Sequence, residues 1–179
     1  AARPDDDRAW SPTTHAVVLV FARSLMRAAY VLPFTVLIAF LAWRADLDWR
    51  SLVEALIDGG FSLLGTTQFA ITTCAAVPAT LLWQALLMRA LGVVREGSMN
   101  CASPAHVRIA LKSDVVQAAS TWLSGTLFWP MWLRLAGMRI GRGAEISTIL
   151  DVVPELIEIG EESFLADGIY LGGPRIHRG

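Results

Sequence analysis

The sequence predicts a membrane α-helical hairpin and an interfacial helix, followed by the start of a left-handed parallel β-helix built from hexapeptide repeats. Three observations predict it. Aliphatic residues recur every six positions in the last quarter of the chain, at Ile140, Ile146 and Val152 and again at Ile159, Leu165 and Leu171. Two long segments, around 25–43 and 61–88, carry no charge over most of their length. Hydrophobic residues make up 54% of the chain and mean hydropathy is +0.49, above the roughly 45–50% apolar share of soluble domains.

The period of six organises residues 138–179. It is neither helical nor simple strand alternation, and it marks coils in which each hexapeptide supplies a short strand and a corner. Gly141, Gly160 and Gly172 follow their aliphatic residue, and Ala166 follows Leu165. A small residue there is expected to let the chain turn at low steric cost. One extra residue shifts the frame between Val152 and Ile159. About five or six hexapeptides close too little core to stand alone, since solenoids need about three or more repeats. The expectation is a module of a longer protein whose coil continues beyond Gly179.

Taken in order, residues 1–15 form a polar lead-in with Asp5, Asp6 and Asp7 in a row, a composition that resists packing. They lack the basic start and cleavage site of a signal peptide. Residues 16–92 are expected to form the hairpin. Arg23 and Arg27, four apart, share a helix face and are expected to reach the headgroups. A span of about 20 residues then runs from Leu25 to Trp43, with Pro33 as a potential kink. Arg44 to Gly60 is an amphipathic connector. Phe61 to Met88 is the second span. Pro78 kinks it, Thr72, Thr73 and Thr80 re-satisfy freed backbone groups, and Trp83 and Arg89 mark its interface end. Arginine and lysine are denser before the first span and after the second than in the connector, which places both ends in the cytoplasm.

Residues 93–137 read as a linker and an interfacial helix. Glu96 to Ser113 is polar, holding Cys101, Pro104 and His106. Val115 to Leu133 is uncharged. A third span there would put Arg134, Arg139 and Arg142 outside, so a helix lying in the interface through Trp122, Trp129 and Trp132 is preferred.

Formal net charge is −1, which gives no footprint for nucleic acid. Cys74 and Cys101 have no metal spacing and are expected to be free thiols. No Ser/His/Asp set, zinc spacing or phosphate-binding glycine loop is present. Gly141-Arg142-Gly143 is a coil corner.

The run from Trp129 to Gly173 carries a resemblance. Trp132-Leu133-Arg134-Leu135, Gly137, Ile140-Gly141-Arg142-Gly143, Glu145-Ile146-Ser147-Thr148, Pro154-Glu155-Leu156, Ile159-Gly160, Ser163-Phe164, Ala166-Asp167 and Leu171-Gly172 resemble the start of a repeated C-terminal module in epsilon-poly-L-lysine synthetase-type nonribosomal peptide synthetases. The likeness runs from about Ala16 and is specific from about Leu111 onward. It implies one membrane-plus-acceptor module of a bacterial plasma-membrane protein, with its coil domain cytoplasmic. The implied donor is an aminoacyl phosphopantetheinyl thioester on a carrier domain, with no cofactor bound in this segment. The implied partners are that carrier domain, the bilayer, and neighbouring hexapeptide modules in cis or as a trimer.

Acyl transfer from a thioester to an amine needs a general base, oxyanion donors and a water-poor cleft. Histidine suits the base. Three are present: His15 at the membrane approach, His106 in the linker, and His177 in Gly-Gly-Pro-Arg-Ile-His-Arg-Gly. His177 is the expected catalytic residue. Its neighbours Arg175 and Arg178 are expected to keep it neutral or to meet a phosphopantetheine phosphate. Asp167 is the candidate for a substrate ammonium, against the alternative of an Asp-Gly corner. Glu145 and Glu158 are expected to face solvent. Two other readings compete: a stand-alone hexapeptide acyltransferase with a coenzyme-A donor, and a non-catalytic scaffold.

Overall fold

The computed structural model describes residues 10–44, 48–57, 61–97 and 99–171. The chain divides into two compact units, Arg27–Trp83 and the remainder.

Five helices come first. α1 is Pro12–Arg44, α2 Trp49–Ile57, α3 Phe61–Ala90, α4 Pro104–Leu123 and α5 Phe128–Leu135. Within the Arg27–Trp83 unit, α1 and α3 are joined where the Trp83 indole N–H donates to the Ala29 carbonyl at 2.9 Å. Pro33 and Pro78 both lie inside their helices. Pro12–Leu37 is long and apolar enough to cross a membrane, and none of its most apolar window is buried. Within α3, Cys74–Ala90 is a shorter apolar segment.

In the other unit, α1 and α4 begin alike. Ser11 precedes Pro12, and its hydroxyl accepts from the Thr14 N–H at 3.1 Å. Ser103 precedes Pro104, and its hydroxyl accepts from the His106 N–H at 3.3 Å. Serine at the cap with proline in the first turn starts a helix on both counts. The Trp10 N–H donates to the Ala102 carbonyl at 2.8 Å, which sets the two starts side by side.

The expected linker is therefore helical from Pro104, and the uncharged stretch 115–133 is not one helix. Ser124–Leu127 interrupts it, with Gly125 at φ +72°. Trp129 and Trp132, expected at a membrane interface, are buried and stacked at 5.5 Å. Trp122 is exposed. A small core between α4, α5 and the strands took these aromatics, because Val115, Val116, Ala119 and Leu133 present an apolar surface there.

Six two-residue strands follow: β1 Arg139–Ile140, β2 Glu145–Ile146, β3 Ile149–Leu150, β4 Glu158–Ile159, β5 Phe164–Leu165 and β6 Ile169–Tyr170. A 3-10 turn, Pro154–Leu156, stands between β3 and β4. β1 pairs with β4, β2 with β5 and β3 with β6, all parallel. Ile140 lies beside Ile159 and Ile146 beside Leu165, an offset of 19; Ile149 lies beside Ile169, an offset of 20. The chain thus returns parallel to itself after three sides. Three sixes plus the extra residue before Ile159 make the 19, and the Asp167-Gly168 corner adds one more. Ile146, Ile149, Val152 and Ile159 are buried between the sides.

α5 covers the open edge of β1. The Arg134 guanidinium donates to the carbonyls of Ile140 at 3.1 Å and Gly141 at 2.6 Å, groups that an edge strand would otherwise leave unpaired. Gly141 is required for a different reason than a turn. A Cβ there would sit 2.5 Å from the Glu161 nitrogen and 2.7 Å from the Gly160 carbonyl carbon. Glycine lets the next turn of chain approach.

Candidate functional site

Of the residues singled out in the sequence, His177, Arg175 and Arg178 lie outside the described residues. Asp167 is described. It sits at the corner before β6, next to Gly168 at φ +71°. The Ser147 hydroxyl donates to its Oδ1, and the Thr148 hydroxyl donates to the same oxygen at 3.2 Å. These hydroxyls, Ser147 first, hold the Asp167 carboxyl below the usual carboxylate range. Thr148 also shares a 2.8 Å hydrogen bond with Ser124, just after α4. Asp167 therefore ties one turn of the coil to the previous one, the corner role weighed above. Glu145 and Glu158 are exposed as expected, and Glu158 pairs with Arg139 at 3.0 Å.

Sequence reading missed a second constellation, on α1, α4 and the coil. His15 Nε2 and His106 Nδ1 are 3.1 Å apart. Two turns further on, Arg23 Nε donates to Asp114 Oδ2 at 2.7 Å and its Nη2 to Oδ1 at 3.3 Å. Both contacts join residues 91 apart. The pairs are in register because Arg23 is eight after His15 and Asp114 eight after His106, a spacing that returns to one helix face. The usable signal was the repeat of Ser-Pro followed by His at both helix starts. Arg23, expected at the headgroups, is engaged by a carboxylate.

Beneath these pairs is a cavity of about 280 Å³. Arg23, His106, Ser113 and Asp114 line it from the helices, with Ile109 and Ala110. Asp151, Val153 and Tyr170 close it from the coil. Burial, then the neighbouring His15 and Arg23, hold the His106 imidazole below its ordinary value, so it is neutral near pH 7.

A third contact joins α4 to the 3-10 turn. Lys112 is fully buried on α4, and its ammonium donates to Glu155 in the 3-10 turn. A buried lysine is tolerated only when paired, so this bridge locks α4 to the coil. Among the described residues, no cluster of three or more metal-binding side chains occurs.

No family model and no solved structure matches the chain. Over 119 residues, 58% of its length, the chain is 30% identical to the delta-poly-L-ornithine synthetase of Acinetobacter baumannii. That alignment covers 9% of the synthetase. The chain is thus distantly similar to a small part of a poly-amino-acid synthetase, and the diamino acid in that protein's name is ornithine rather than lysine.

Proposed function

We propose that the chain is a membrane-anchored, acyltransferase-like module of a poly-amino-acid synthetase. It joins an aminoacyl thioester, carried on phosphopantetheine, to an amine acceptor as an amide or isopeptide bond. The observation that carries this reading is the similarity over 119 residues to a poly-ornithine synthetase. Two features support it. The three parallel strand pairs at offsets of 19 and 20 fit the opening turn of a left-handed parallel β-helix, a scaffold that suits acyl transfer. The exposed apolar surface of α1, including Val20, Phe21, Leu25, Val36 and Phe40, fits a lipid-facing anchor.

In this reading α1 and α3 form the two spans of a hairpin in a bacterial plasma membrane. The coil stands on the cytoplasmic side, where the carrier domain reaches it. Neighbouring coil modules, in cis or in a trimer, complete the cleft. His177 takes the amine proton, Arg175 and Arg178 meet the phosphopantetheine phosphate, and Asp167 faces the substrate ammonium.

The natural polypeptide tests this. An antibody against this chain is used to isolate the protein from membranes for peptide mapping. The expected map contains an adenylation region and a carrier serine bearing phosphopantetheine. A short protein without either would overturn the synthetase reading in favour of a compact acyltransferase.

A further inference from the structure

Charged groups of both signs line the cavity between α1, α4 and the coil. Arg23 and Asp114 stand on the helix side, and Asp151 stands on the coil side. A guanidinium has five N–H donors, and two bonds hold Arg23 to Asp114, which leaves capacity for a second carboxylate. Asp151 has φ +50°, in the left-handed region that aspartate adopts more readily than most side chains. Ile109 and Val153 add apolar lining. The volume, about 280 Å³, lies just below the roughly 300–1,000 Å³ of small-molecule sites, room for a ligand of only a few heavy atoms.

We propose that this cavity binds a small zwitterion, a free amino acid whose carboxylate meets Arg23 and whose ammonium meets Asp151. His106 completes the site. His15 holds its Nδ1, which leaves Nε2 as the nitrogen offered to the ligand. When His106 Nδ1 donates to His15, that Nε2 is an acceptor and takes a hydrogen bond from the ammonium. Binding stands on the cavity alone. An amino acid bound here is distinct from the acceptor amine that the proposed function sets at His177 and Asp167.

The test is equilibrium dialysis of radiolabelled L-ornithine against the full chain purified in detergent. Putrescine, which lacks a carboxylate, and pentanoate, which lacks an ammonium, serve as competitors. Saturable ornithine binding is expected, with both competitors at least tenfold weaker. Asp151→Asn is expected to weaken binding at least tenfold. Asparagine tolerates positive φ, so this variant keeps the corner, and unchanged circular dichroism verifies that. Glu158→Gln, on the exposed outer face, leaves binding intact. No saturable binding would overturn the proposal, as would full binding by Asp151→Asn or equal competition by putrescine. If the whole synthetase polymerises while this cavity binds nothing, the site is wrong and the functional reading survives. If ornithine binds but no polymer forms in the natural protein, the site stands and the functional reading falls.

Discussion

At the scale of single residues, two positions separate packing from chemistry. Gly141 and Gly160 read identically in the sequence, as small residues after an aliphatic. Only Gly141 meets backbone if given a Cβ. Backbone cannot swing aside as a side chain can, so Gly141→Ala is expected to destabilise the coil by about 1–3 kcal/mol. The nearest atom to a Cβ at Gly160 is the Ser163 hydroxyl at 3.6 Å, so Gly160→Ala is expected to leave the melting temperature nearly unchanged. Parallel thermal melts of the two variants check this. Lys112 and Glu155 make the second pair. Glu155→Gln leaves a fully buried ammonium without its counter-charge and is expected to cost about 3–5 kcal/mol. Restoring stability with Lys112→Met in the same chain would identify the unpaired charge as the cause. The sequence showed that a lysine and a glutamate were present. Their separation of 43 residues hid that they meet.

At the scale of elements, short strands in the last quarter of the chain were legible because the aliphatic side chains that mark them are read locally. Ile140, Ile146 and Ile159 fall in the strands the spacing implies. The frame shift before Ile159 reappears as the 19-residue offset. The pairing of α1 with α4 was not legible as a contact, although its parts were. Ser11-Pro12 and Ser103-Pro104 announce two helix starts, but nothing local says they lie together. The tryptophans misled for the same reason, since an aromatic belt and an aromatic core have one composition. Because burial and the adjacent cationic groups depress His106, its unfolded form binds the proton more readily. Stability is therefore complete above the ordinary histidine pKa of about 6.5 and declines as pH falls through it. His15 and Arg23 oppose the charged form; Asp114 and Asp151 line the same cavity. Hydrogen exchange at pH 7.5 and 5.5, corrected for the intrinsic rate at each pH, is expected to show lower protection in the first turns of α1 and α4 at the lower pH. His106→Gln is expected to remove most of that difference.

At the scale of the whole molecule, among the described residues one helix long and apolar enough to cross a membrane precedes short parallel strands. An anchor and a coil in one chain keep acyl transfer near the bilayer in the proposed reading. The sequence itself exposes the long apolar helix through uncharged length and the short strands through their aliphatic spacing. It does not expose the cavity, which needs residues from both chain ends of its unit to assemble. The measurement that bears most directly on the proposed chemistry is product analysis of the natural full-length protein. It would be incubated with ATP and L-ornithine or L-lysine, alongside a variant lacking residues 138–171. Mass spectrometry is expected to find amide-linked oligomers from the intact protein. From the variant it should find a carrier loaded with amino acid but no oligomer. Oligomers of equal yield from the variant would contradict a role for the coil in forming the bond.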